Sequence, residues 1–310
     1  MTQLTDPATR QPRTHTRAVR WTTTVAVAVA VLIIVTGGIV RVTGSGLGCP
    51  TWPRCTDDSF TSATAATGLH GAIEFGNRLL TVVICVAVGA VIIACLLQRP
   101  RHRALLFSAW GQFVGVLLNA VVGGITVLTG LNPYVVAGHF LAAIALLVST
   151  TVSYDIAHRA VVPAPAESTR RLARWLVVVT GVVVVVGTVV TGAGPHPGDS
   201  AEIHRIPVHW ATVTVVHGVV AVAALALAAV VVLVARRAGD DLVARRATVL
   251  LVLFVAQAAL GTYQSLDGLP GLAVVLHLFG AALTAAGAAR VLLAARSTTV
   301  DRRAPRTQPA

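Results

Sequence analysis

Lysine is absent from this chain, and charge of either sign is scarce. Only 12% of its 310 residues are charged, about half the share a soluble domain carries. With 55% hydrophobic residues and a mean hydropathy of +0.79, that scarcity excludes a soluble globular domain and leaves a polytopic membrane protein. The chain has no paired Asp-rich motifs of the kind that hold Mg²⁺ and a diphosphate, which argues against a prenyltransferase. Its Gly-rich stretch TGSGLG follows a membrane span and lacks the Lys of a phosphate-binding loop, so a nucleotide site there is rejected. All 24 basic residues are arginine, and Val, Ala and Gly fill the apolar runs, a composition that points to a GC-rich bacterial genome. The net charge of +12 does not imply a nucleic-acid partner, because the placement of the arginines accounts for it.

Eight apolar runs are long enough to cross about 30 Å of hydrocarbon at about 1.5 Å per residue. They are Arg20–Val40, His70–Leu97, Ala104–Thr129, Tyr134–Ala157, Leu172–Thr191, Val208–Ala235, Arg246–Leu266 and Gly271–Ala294. Twenty arginines lie before the first span, between spans two and three, four and five, six and seven, and at the end of the chain. The opposite loops hold three, Arg41, Arg54 and Arg205, and Arg78 is intramembrane. The positive-inside rule then puts both termini in the cytoplasm and the loops after spans one, three, five and seven outside, in a multi-pass cell-membrane protein. The first span is too long for a signal peptide and lacks a cleavage pattern after it, so a retained helix is expected.

The expected organisation is a disordered cytoplasmic N-terminus over 1–19, one four-helix half over 20–157, and a cytoplasmic linker over 158–171. A second four-helix half over 172–295 and a disordered tail over 296–310 follow. The halves repeat each other. Val42–Gly46 (VTGSG) recurs as Val190–Gly194 (VTGAG), Asn119 and Gly123 match Gln257 and Gly261, His139 matches His277, and Asn77 matches His217. The offsets are 148, 138, 138 and 140 residues. Four spans per copy give parallel topology. The expected fold class is therefore all-α, eight transmembrane helices in two pseudo-repeated four-helix bundles.

The stretch His70–Leu80 (HGAIEFGNRLL) places Glu74 and Arg78 inside the second span, and Glu74 is the only acid expected well inside an apolar run. A carboxylate there must be paired, protonated or in a cavity. His70, Glu74 and Asn77 share one helix face, and Arg78 is four residues beyond Glu74. The group is either an ion pair that fixes helix packing or a polar pocket where chemistry happens; the rest of the chain favours the pocket. Asn77, His139, His217 and His277 each lie roughly six to nine residues into a span that enters from outside, about 8–14 Å deep. A lone intramembrane His is usually a hydrogen-bonded packing residue. Two at matched depth, His217 and His277, on facing helices of one bundle suit the two faces of a haem iron. Gly123, Gly138, Gly218, Gly261 and Gly280 lie nearby and would let a flat macrocycle approach, although glycine also serves plain helix packing.

The loop Arg41–Cys55 (RVTGSGLGCPTWPRC) carries Cys49 and Cys55 on the oxidising side, where a disulfide is plausible, as a staple or as a redox-active pair. Cys85 and Cys95 read as inert packing residues. The loop histidines His196, His204 and His209 could meet haem propionates or a donor, but exposed loop histidines usually have no role.

Together, RVTGSGLGCPTWPRC, IEFGNR, His139, TGAGPHPGD, His217 and His277 resemble the haem A synthase family over nearly all of residues 20–295. The resemblance implies an eight-helix membrane oxidoreductase serving cytochrome oxidase biogenesis. It hydroxylates the C8 methyl of haem O twice and dehydrates the diol to the formyl of haem A. It further implies a haem b held by His217 and His277, a substrate haem O site at Asn77 and His139, and an essential glutamate at Glu74. Asn77 departs from the family, where many members have His. Either His139 alone holds the substrate iron, or another group such as His70 supplies the sixth position; Arg78 is a further candidate at that site. Haem O, a haem O synthase, an electron donor and membrane lipid are the implied partners, and homo-oligomerisation is left open. Two other classes compete. A di-haem cytochrome b passing electrons from quinol predicts the same ligands in both halves, and a haem transporter predicts helices broken at corresponding midplane positions.

Overall fold

The structure is a computed structural model that describes residues 15–61, 68–158, 163–199 and 204–296. Its described residues form eight helices: α1 (Arg17–Val42), α2 (Gly68–Leu97), α3 (Arg103–Leu128), α4 (Pro133–His158), α5 (Glu167–Ala193), α6 (Trp210–Arg237), α7 (Asp241–Leu266) and α8 (Gly271–Ala295). The shortest has 25 residues and the longest 30, about 38–45 Å of rise, and all eight are apolar enough to cross a membrane. The protein is an all-α, multi-pass membrane protein. The expected disordered ends lie mostly outside the described residues.

In each half the helices pack in chain order and the ring is closed by its first and last members, α1 on α4 and α5 on α8. The halves meet through α8 against α1 and α4, and through α4 against α5. There are two apolar clusters: one built on α1–α4 that also takes in Val184 of α5 and Ala282 and Ala285 of α8, and one within α5–α8 dominated by alanine and valine, whose small side chains let helix backbones approach. The turns α3–α4 and α7–α8 have the same backbone. Gly130 and Leu131, and 138 residues later Gly268 and Leu269, all adopt positive φ. That conformation is open to glycine and strained for leucine.

Two helices begin earlier than their apolar runs suggest. α5 starts at Glu167 and α7 at Asp241, rather than at Leu172 and Arg246, so the expected linker 158–171 holds helix at both ends. Helical hydrogen bonding does not stop where hydrocarbon does. An acid in the first turn favours the helix start electrostatically, and Glu167 also pairs with Arg170.

A second buried acid, Asp155, lies at the very end of its apolar run. It is 1% exposed near the end of α4, and its Oδ1 lies 2.5 Å from Nη2 of Arg246 on α7. This is a buried ion pair between the halves at the arginine-rich end. At the arginine-poor end the two repeated Gly-rich loops dock on each other. Ser45 and Asp199 form an antiparallel bridge, Gly46 N–H donates to Gly198 O at 2.8 Å, and Leu47 N–H donates to Oδ2 of Asp199 at 3.1 Å.

Candidate functional site

The loop after α1 covers the arginine-poor end of the first bundle. Cys49 and Cys55 are joined in a disulfide, and both are fully buried. Gly48 lies directly on the backbone of His70 and Gly71, where a Cβ would stand 2.4 Å from His70 C and O. Trp52 packs on Gly124 of α3. The loop is fastened by α2 through a charged clamp. Glu74 Oε1 accepts from Arg78 Nη2 at 2.5 Å and Nε at 3.1 Å, and Oε2 accepts from Cys49 N–H at 2.6 Å. Arg78 spends its other donors on the loop carbonyls of Cys49 (2.8 Å), Thr51 (2.9 Å) and Arg54 (3.1 Å). The structure thus brings Glu74, Arg78 and the disulfide loop together. It ties His70 to the same loop, with Nδ1 2.9 Å from Ser45 Oγ, a buried hydroxyl.

Deeper in the bundles, three histidines share one local arrangement. The Cε1 edge of His139 faces Gly123, that of His217 faces Gly187, and that of His277 faces Gly261. A Cβ on those glycines would stand 3.0, 3.1 and 3.2 Å away. Each imidazole therefore lies against the backbone of the preceding helix, and the pair Gly123–His139 recurs as Gly261–His277. Nδ1 of His139 and of His277 is buried with no hydrogen-bond partner. Nδ1 of His217 is also buried without a geometric hydrogen-bond partner, although that ring lies beside the Val183 backbone. A buried imidazole nitrogen left unpaired in an apolar interior is costly, so a ligand that binds it would stabilise the ring. His217 and His277 face each other with ring centroids 6.4 Å apart and planes at 73°. That spacing is an edge-to-face ring contact, and it is also wide enough for one metal ion bonded by a nitrogen of each ring at about 2 Å.

The corresponding place in the first half differs. Oδ1 of Asn77 accepts from Thr36 Oγ1 at 2.7 Å, so a neutral amide already engaged in a hydrogen bond stands where the second half has an imidazole. The glycines named in the sequence divide. Gly123 and Gly261 back histidines rather than face open space, Gly280 is met by the Gln257 side chain, and a Cβ at Gly138 or Gly218 would meet nothing within 4 Å. Among the loop histidines, His196 Nε2 lies 2.9 Å from Leu269 O and His209 caps α6, which gives both structural roles.

Residues 20–288 match the family described as cytochrome oxidase assembly protein, COX15-CtaA. The chain belongs to this family. Curated relatives named heme A synthase include one from Lysinibacillus sphaericus, 27% identical over 125 residues (40% of this chain, 40% of the relative). Another, from Bacillus pumilus, is 31% identical over 125 residues (40% and 39%). A third, from Bacillus licheniformis, is 32% identical over 114 residues (36% of each). The aligned part spans about two fifths of the length of these relatives.

A haem fits the residues present in the second bundle: two imidazoles face each other, and Nδ1 of each is buried without a hydrogen-bond partner. Sequence reasoning missed four residues of this assembly protein that the structure makes prominent. Gly187 backs His217 but lies in a valine-rich run with nothing to single it out. Asp199, Asp155 and Arg41 act across the boundary between halves, and no local pattern announces such contacts.

Proposed function

We propose that this protein converts haem O to haem A in a bacterial cell membrane, with both termini cytoplasmic and the arginine-poor end outside. The observation that carries the proposal is the unlike chemistry at matched positions of the two halves. One half has two facing imidazoles, and the other has one imidazole, His139, and an amide, Asn77, bonded to Thr36.

In this proposal His217 and His277 hold a resident haem b, and Gly187 and Gly261 fix their rings. When bound, that haem supplies one-electron transfer. His139, backed by Gly123, holds the iron of the substrate haem O from one side. Asn77, a weaker ligand than an imidazole, stays with Thr36, and His70 stays with Ser45. Two successive hydroxylations turn the C8 methyl into an alcohol and then a geminal diol, which loses water to leave the formyl group. Glu74 and Arg78 hold the disulfide loop over the first bundle, and the role of Glu74 is to position that loop. Haem O is the substrate, a haem O synthase its supplier, and an electron donor a third partner.

Unlike ligands in the two halves count against a symmetric di-haem cytochrome. The eight helices run unbroken from end to end, against the broken helices expected of a transporter. Expression in a host that makes haem O but no haem A tests the proposal. Extracted membranes are expected to contain haem A, and haem O alone would contradict it.

A further inference from the structure

Arg41, the last arginine of α1, is the cation that the site so far leaves without a counter-ion. Its side chain is partly buried, and its Nε has neither exposed surface nor a hydrogen-bond partner. Nη2 donates to the backbone O of Thr191 on α5 at 2.7 Å, and no carboxylate of the described residues pairs with it. A guanidinium whose Nε is sealed from solvent without an acceptor is costly unless an anion meets it.

Its position says which anion. Arg41 belongs to the first half but sits over the second. Three residues below it on the same helix face, Gly38 packs against Leu278 and Val275 of α8, on either side of His277 in sequence. Thr191, which it bonds, is one turn beyond Gly187, and its hydroxyl donates to Gly187 O at 2.8 Å. Gly187 is the residue that backs the His217 ring. By both routes Arg41 lies about one helical turn, roughly 5 Å, from the level of the His217–His277 pair, toward the arginine-poor end.

We propose that Arg41 is the counter-ion for a propionate carboxylate on the rim of the haem held by His217 and His277. This rests on the resident-haem assignment above. A guanidinium matches a carboxylate with two parallel donors, and Nε is one of the donors still free. The contact makes the first half contribute to the second half's haem site, across the boundary where the Gly-rich loops already dock.

The test is haem release from purified protein into excess apomyoglobin, with haem b or its dimethyl ester loaded into wild type and Arg41→Gln. A charge-assisted hydrogen bond is worth enough that Arg41→Gln should release haem b roughly tenfold faster or more. The two proteins should release the ester, which has no carboxylate to pair, at equal rates. The midpoint potential of bound haem b should fall in Arg41→Gln, because loss of a nearby positive charge favours the ferric state. Equal release of haem b from both proteins, or equal acceleration for haem b and ester, would overturn the proposal. Should Arg41→Gln fail to fold, wild type alone decides: it must hold haem b more tightly than the ester. A wild-type spectrum that is not low-spin bis-histidine would instead sink the resident-haem assignment, so the two failures are separable.

Discussion

Inside a membrane helix a carboxylate needs a partner for each oxygen, and Glu74 has one for each: the guanidinium of Arg78 and the N–H of Cys49. The sequence already offered Arg78, four residues on, as an ion-pair partner. It could not offer Cys49, which lies 25 residues earlier and reaches Glu74 only because the loop folds back over α2. Glutamine at this position keeps one acceptor where two are needed and leaves Arg78 without its charge partner. Glu74→Gln should therefore cost about 2–3 kcal/mol of stability in the clamp. It should still bind its resident haem but accumulate haem O or the singly hydroxylated product. The specific sign of a positioning role is that Cys49 and Cys55 become labelled by a membrane-impermeant thiol reagent after a mild reductant that leaves wild type unlabelled. Reduced haem A yield with an equally protected disulfide would instead point to Glu74 acting on the substrate itself. His139, His217 and His277 were legible for a different reason. An imidazole in an apolar run stands out in any sequence, and helical rise alone puts it at a depth.

At the scale of elements, the eight helices were readable because membrane helices must satisfy every backbone group internally and need some twenty apolar residues to do so. Their starts were less readable: α5 and α7 continue into polar sequence because nothing breaks them there. The glycine cradles were not readable at all. Gly123, Gly187 and Gly261 read as ordinary helix-packing residues until the neighbouring helix is seen to bring an imidazole edge within van der Waals contact. Branched side chains there should displace the rings. Gly261→Val is expected to lower the content of resident haem while the protein still folds. Gly123→Val should leave that haem at wild-type content and lower the yield of haem A. Haem-to-protein ratios and extracted pigment, measured on both variants, check the pair. Identical losses in both would mean that the cradles serve helix packing rather than ring placement.

The whole molecule is two bundles tied at both ends. At one end Asp155 and Arg246 form a buried pair between α4 and α7, and at the other the Ser45–Asp199 bridge joins the repeated loops. Repetition was visible in the sequence as paired spacings, and the matching turns at Gly130–Leu131 and Gly268–Leu269 extend it to the backbone. The difference between the halves was visible as Asn77 standing where His217 stands in the other half; the bond from Thr36 to Asn77 came from the structure. The account's central claim is that the second bundle keeps a haem and the first transforms one. The most direct measurement is the optical spectrum and extracted haem of purified His139→Ala and His277→Ala, expressed in a host that makes haem O. His139→Ala should retain the low-spin haem b signal at wild-type content and yield no haem A. His277→Ala should lose that signal, as should His217→Ala. A full low-spin signal surviving in either second-half variant, or lost in His139→Ala alone, would contradict the account.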